Sequence, residues 1–311
     1  MGVGQSQNRA QLLLKVARAS QDHAETDRSV KGLSSQEISN LAASLSVAGQ
    51  PLQPPRFHET GWIEGQLFSA KQDPDRTRQK WEPPSFLRCR APAEQTLKTS
   101  VEELPVKSDG GSSSFARVVR GVLDEEHCVE LLERVNEKGF TPALLNVGGG
   151  RQMMDSLVRD GHRVIVDSPE LSSWLIEVLR PYLPERLPGA PDGHGDPRRA
   201  AELVDLNERC RFLCYTPGQH FAAHYDACYE RPRSHPNAGD MSMVTVQVYL
   251  HDVPAENGGA TTFLPRRAAS LPCQPGAGCA LIFTQDLYHE GSLVKDGIKY
   301  TLRTEAMYRQ T

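Results

Sequence analysis

A chain of 311 residues, 38% hydrophobic and 24% charged, can bury one large or two moderate cores, and a formal net charge of −4 supplies no bulk attraction to nucleic acid. No run of about eighteen apolar residues occurs, which excludes a transmembrane helix on length. The seven cysteines are odd in number and form no Cys-x-x-Cys pair, so reduced thiols in an intracellular, cytoplasmic protein are expected.

The amino terminus lacks the charged-then-apolar design of a secretory signal. Met1-Gly2-Val3-Gly4-Gln5-Ser6 instead fits the N-myristoylation pattern, with Gly2 as acceptor once methionine is removed. One such chain binds membranes only weakly, with K on the order of 10⁴ M⁻¹. Residues 7–19 read as a short basic amphipathic helix with Leu12, Leu13, Val16 and Ala17 toward one side. Ser34-Ser35-Gln36-Glu37 is a capping box, opening a helix whose Ile38, Leu41, Ala42 and Leu45 recur on one face until Gly49. From Pro51 to Ser114 the chain is rich in Pro, Gln, Lys and Ser, and most of it is expected to be a partly disordered linker, Trp62, Phe68, Trp81 and Phe86 being exceptions. Asp109-Gly110-Gly111-Ser112-Ser113-Ser114 marks its end. The predicted organisation is therefore an N-terminal arm with short helices and flexible linker over residues 1–114 and a second domain over 115–311, its core at 205–310.

Phe115 to Val119 is an apolar strand, and Asp124 caps a helix running to Glu137 with Cys128, Leu131, Leu132 and Val135 on one stripe. Residues 139–160 contain Gly148-Gly149-Gly150, but no Gly-Lys-Ser/Thr follows, so a mobile lid is expected there in place of a phosphate loop. Arg163 to Asp167 is a strand, and Ser168-Pro169-Glu170 caps a helix containing Trp174, Leu175, Val178 and Leu179. Apolar and polar residues alternate from Ser242 to Leu250, and short strands follow at 260–264, 279–284 and 299–309. This pattern predicts an α+β, mainly β chain: a double-stranded β-helix of the jelly-roll, cupin-like kind with supporting helices.

The chemistry centres on His224-Tyr225-Asp226 and a distant His289. On a strand of period two, His224 and Asp226 project from one face while Tyr225 points away. Two imidazoles and one carboxylate leave the opposite face of a metal open, as non-heme Fe(II) oxygenases require, whereas structural zinc takes four protein ligands and often thiolates. His220 and His235 are expected to be hydrogen-bonded or exposed, and Glu290 a surface residue. Asp286 is either an orienting carboxylate for His289 or a solvated turn residue. The loop from Ala227 to Asp240, with Arg231, Arg233 and His235, either meets an acidic substrate or is a solvated hinge.

The run Tyr215-x-x-Gly218-x-x-Phe221-x-x-His224-x-Asp226 resembles the catalytic domain of prolyl 4-hydroxylase-type, 2-oxoglutarate- and Fe(II)-dependent dioxygenases. Gly258-Gly259-Ala260-Thr261-Thr262-Phe263-Leu264-Pro265 and the Pro275-Gly276 turn continue the likeness, which covers roughly residues 115–310. It implies that His224, Asp226 and His289 hold iron and that Lys299, with Arg303 as second choice, pairs with the far carboxylate of 2-oxoglutarate, helped by Tyr215. It also implies Fe(II), 2-oxoglutarate and dioxygen as the cofactor set, with ascorbate as an accessory, and places residues 139–160 on the substrate side. The implied reaction is hydroxylation of a peptidyl proline in a protein substrate with release of succinate and CO2; the metal carries the chemistry and no protein nucleophile is needed. A small-molecule oxygenase, a nucleic-acid-base oxygenase and a membrane-tethered non-catalytic adaptor are the alternatives. The acidic balance and the lack of a basic, aromatic-bearing patch disfavour nucleic acid, and the intact triad disfavours the adaptor.

Overall fold

Alternating polarity along the later strands is resolved, in the computed structural model, by two antiparallel sheets that face one another. The structure describes residues 34–44, 46–47, 50–51, 53–69, 81–88, 99–106, 114–188 and 200–311. The first strands of the two sheets are β1 (Ser100–Leu104), β2 (Ala116–Arg120), β3 (Thr141–Pro142), β4 (Arg159–Asp160) and β5 (His162–Asp167). Then come β6 (Arg186–Pro188), β7 (Ala200–Leu206), β8 (Arg209–Tyr215), β9 (His220–His224) and β10 (Met241–Tyr249). The set ends with β11 (Thr261–Phe263), β12 (Leu271–Cys273), β13 (Ala280–Thr284), β14 (His289–Gly291) and β15 (Lys299–Gln310). The ten-stranded sheet runs β1-β2-β13-β10-β15-β8-β5-β3, with β7 also on β15 and β6 on β7; the five-stranded sheet runs β12-β11-β14-β9-β4. This is the mainly-β jelly roll that the strand density predicts.

Strand β10 shows why the sequence folds this way, because all nine of its residues are buried although polar and apolar ones alternate. Val244, Val246 and Val248 join the main hydrophobic cluster, while Thr245 meets Asp226 and Gln247 lines the barrel interior. Strand β15 repeats the division: Tyr300, Leu302, Ala306 and Tyr308 enter that cluster, whereas Lys299, Thr301 and Arg303 line the interior.

Helices α1 (Ser35–Ser44), α2 (Glu125–Lys138) and α3 (Pro169–Leu179) contribute to the same cluster. The expected capping box closes α1: Ser34 donates from N and Oγ to Glu37 Oε2 at 2.7 and 2.6 Å, and Glu37 N donates back to Ser34 Oγ at 3.3 Å. At α2, Asp124 Oδ1 accepts from His127 N at 2.7 Å. Asp124→Ala should therefore lower stability by about 1 kcal/mol, read as a reduced thermal midpoint. A larger loss is expected at Gly278, whose φ is +71° and whose carbonyl accepts from Val122 N and Leu123 N. A Cβ there would lie 2.0 Å from Leu123 O, so Gly278→Ala should cost roughly 3 kcal/mol through strain and clash.

The segment expected to be linker departs from that reading in its described parts. Phe57 packs at a tilt on His162 with ring centroids 4.2 Å apart, its neighbours Arg56 and His58 exchange backbone bonds with Phe140, and Trp81 and Phe86 pack on Phe212 and Trp174. Residues 100–104 form β1 at the edge of the larger sheet. Aromatic side chains supply enough apolar area to hold this polar stretch on the core. The glycine-rich lid is likewise a β-hairpin, Leu145–Gly148 against Arg151–Met153, joined by Leu67–Ser69 as a third strand. Gly148, Gly149 and Gly150 all have positive φ and form its turn. The 7–19 helix and Gly2 lie outside the described residues.

Candidate functional site

His224, Asp226 and His289 come together where β9 and β14 pair, His224 standing directly opposite His289 in the register. Their candidate ligand atoms lie within 4.8 Å of one another, and among the described residues no fourth His, Cys, Asp or Glu joins the group. His224 Nε2 is 3.6 Å from Asp226 Oδ1, and His289 Nε2 is 3.8 Å from Asp226 Oδ2. One feature differs from the period-two expectation: β9 ends at His224, so Asp226 is placed by the turn beyond the strand. Tyr225 does point away, 39% exposed, with its ring 4.9 Å from that of Tyr288.

Hydrogen bonding sets the tautomers of both imidazoles. His224 Nδ1 lies 2.8 Å from Ala222 O and His289 Nδ1 2.9 Å from Leu287 O; a carbonyl only accepts, so each Nδ1 carries the proton. Each Nε2 is turned toward the Asp226 carboxylate, where a metal would meet it. Burial, followed by the neighbouring His224, lowers the His289 pKa to about 4 and keeps that ring neutral. Burial alone would raise the Asp226 pKa, but Arg303 and the two histidines hold it well below the usual carboxylate range. A neutral His289 and an ionised Asp226 fit a divalent metal. Asp286 plays no part in orienting His289, since it accepts from Ser114 Oγ at 2.5 Å while Leu287 O takes the Nδ1 proton.

The triad opens on a cleft in the barrel, lined by Tyr215, Gln247, Thr261, Lys299, Thr301 and Arg303 together with Arg159, Phe221 and Glu290. Tyr215 and Lys299 are register partners on β8 and β15. The Lys299 ammonium sits 5.9 Å from the Tyr215 ring and 5.6 Å from the Tyr249 ring. No carboxylate pairs with it among the described residues, and burial lowers its pKa to about 8. Arg303 is already paired, at 2.8 Å with Asp226 and 3.4 Å with Glu305.

Other sequence candidates lie elsewhere. His220 Nε2 is 3.3 Å from Leu157 O, and His235 pairs with Glu208 at 3.2 Å. Arg231 neither meets a substrate nor forms a solvated hinge: it is 2% exposed and bridges Asp205, Glu208 and Asp240. Thr245, which donates to Asp226 Oδ2 at 2.6 Å, went unnoticed in the sequence although its period-two position on β10 was a usable signal. Glu290, read as surface, flanks the cleft, and so does Arg159, which no local pattern marks because β4 meets β9 only through tertiary pairing. Gly161 was also missed; a Cβ on it would lie 2.5 Å from the Tyr215 ring, so glycine there lets the tyrosine seat.

No curated protein matches the chain. Among solved structures, a Pseudomonas putida prolyl-4-hydroxylase is similar at 15% identity and TM-score 0.40, over 69% of this chain and 94% of that one. A viral collagen prolyl hydroxylase from Paramecium bursaria Chlorella virus-1 is similar at 17% identity and TM-score 0.40, over 65% and 99%. A Trichoplax adhaerens prolyl hydroxylase, in complex with a hypoxia inducible factor peptide fragment, is similar at 15% identity and TM-score 0.45, over 61% and 82%. Similarity at this level says nothing about substrate. The sequence model of the 2OG-Fe(II) oxygenase superfamily matches residues 210–304, a span that contains all three triad residues, Tyr215, Lys299 and Arg303. Residues 210–304 thus match a 2OG-Fe(II) oxygenase domain, the domain of 2-oxoglutarate-dependent dioxygenases.

Proposed function

We propose that this dioxygenase hydroxylates a peptidyl proline in a protein substrate, coupled to conversion of 2-oxoglutarate into succinate and CO2. The carrying observation is the buried Lys299, which pairs with no carboxylate among the described residues and lines the same cleft as His224, Asp226 and His289. A cation left without a counter-ion in an enclosed site is the complement of an anionic ligand, and the distal carboxylate of 2-oxoglutarate has the charge to match. Choice of a proline rests on the sequence resemblance of Tyr215 to Asp226.

In this reading His224 and His289 present Nε2, and Asp226 its carboxylate, to Fe(II), which when bound supplies the oxidising chemistry. Lys299 holds the distal carboxylate as a point charge, and the Tyr215 phenol adds a hydrogen bond from the facing strand. The buried walls, Phe283 and Leu213 among them, exclude water from the inner end and strengthen that attraction. Ascorbate as an accessory reductant and weak membrane contact through a myristoylated Gly2 belong to the same proposal; intact-mass measurement of the protein from eukaryotic cells checks the second.

The test is succinate release by Fe(II)-reconstituted protein with and without a proline-rich peptide pool. Peptide-stimulated release accompanied by a 16 Da mass gain on proline, the mass of one oxygen atom, supports the proposal. Succinate release that no peptide stimulates, but a small molecule does, would replace the protein substrate with a small one.

A further inference from the structure

Three cations face the cleft, and the third has a different task. We propose that Arg303 is a positioning residue for the metal: it fixes the carboxylate of Asp226 and does not anchor the cosubstrate. This inference rests on the oxygenase reading for the identity of the site.

Asp226 lies two residues past the end of β9, where no ladder bond restrains its backbone. A carboxylate on such a turn can rotate about its side-chain torsions unless other groups hold it. Both oxygens are held here: Arg303 takes Oδ1 at 2.8 Å and Thr245 donates to Oδ2 at 2.6 Å. Each carboxylate oxygen has a second lone pair, so these bonds leave a position on the carboxylate for a metal.

Arg303 is itself fixed from behind. Glu305, 3% exposed, lies 3.4 Å from Arg303 Nη1 as an ion pair and accepts from Arg211 Nη1 at 2.7 Å and from Asn207 Nδ2 at 2.9 Å. The sequence of charges from the cleft outward is thus Asp226 negative, Arg303 positive, Glu305 negative, Arg211 positive. Alternation of this kind compensates groups that could not be buried singly. Two carboxylates occupy the Arg303 fork, which leaves Lys299 as the inner cation without one. Partners that hold a metal-ligating carboxylate typically contribute 10–100-fold to metal affinity.

The experiment measures Mn(II) binding to the full chain by calorimetry, without 2-oxoglutarate, for wild type, Arg303→Met, Arg303→Lys and Lys299→Met. Arg303→Met should bind Mn(II) about 10–100-fold more weakly, Arg303→Lys should recover part of the loss, and Lys299→Met should match wild type. At saturating Mn(II), the preference for 2-oxoglutarate over 2-oxovalerate, which lacks the distal carboxylate, should survive in Arg303→Met and vanish in Lys299→Met. Should Arg303→Met not fold, Arg303→Lys decides alone, since a lysine keeps the charge but offers no fork. Wild-type Mn(II) affinity in the Arg303 variants, or loss of the 2-oxoglutarate preference in them, overturns the assignment. Wild-type protein that binds Mn(II) without preferring 2-oxoglutarate counts against the oxygenase reading and leaves the metal comparison standing. A wild type that binds no Mn(II) overturns both.

Discussion

His224→Ala should reduce Fe(II)-dependent succinate release by roughly a thousandfold, equivalent to about 4 kcal/mol of transition-state stabilisation. The reason is geometric: His224 Nε2 is one of three donors within 4.8 Å of one another, and no other His, Cys, Asp or Glu of the described residues can take its place. Asp226→Ala should be at least as damaging, since it also frees Arg303 and Thr245. His220→Ala is the control: its ring meets Leu157 O and lies outside the triad, so near-normal release is expected. Mass-spectrometric quantification of succinate under anaerobic loading followed by air decides the matter. Equal release from wild type and His224→Ala would remove the triad from the mechanism.

Lys299→Ala should raise the KM for 2-oxoglutarate by roughly 10–150-fold, the effect of losing one hydrogen bond to a charged group, or about 1.5–3 kcal/mol. Its kcat at saturation should fall less, because the metal donors are untouched. The wild-type enzyme should add a pH signature. Burial lowers the Lys299 pKa to about 8, so the free enzyme carries the ammonium below that pH and a neutral amine above it. The KM for 2-oxoglutarate should therefore rise as pH passes upward through about 8, and in Lys299→Ala this rise should disappear. A KM unaffected by the substitution would transfer the anchoring role to another group, Tyr215 being the nearest.

How far the sequence carried this picture depended on the range of each interaction. Capping at Ser34, Asp124 and Ser168 was legible because each cap bonds within three residues of itself. The triad was legible because two members share a tripeptide and a motif brackets the third. Parity on β15 put Lys299, Thr301 and Arg303 on one face, but it could not say which cation was neutralised; that depends on Asp226 and Glu305 reaching the same guanidinium. The attachment of residues 53–69 and 81–88 was hidden for another reason. Few aromatics in a polar stretch look like a linker until the surfaces that receive them, at Phe140, His162, Phe212 and Trp174, have been assembled from elsewhere in the chain.

The place of β15 has a consequence for biosynthesis. This strand pairs with β10 along most of its length and with β8 and β7 on its other side, so it is interior to the larger sheet although it is the latest described strand in sequence. While a ribosome is still making residues 299–310, β10 and β8 have unpaired backbone edges, Lys299 is missing from the cleft and the carboxylate of Asp226 lacks its arginine. The nascent chain thus exposes adhesive edges for the whole of domain synthesis, and chaperone occupancy should peak just before this strand emerges. Docking of β15 therefore completes the sheet and supplies the arginine that holds Asp226 in a single step.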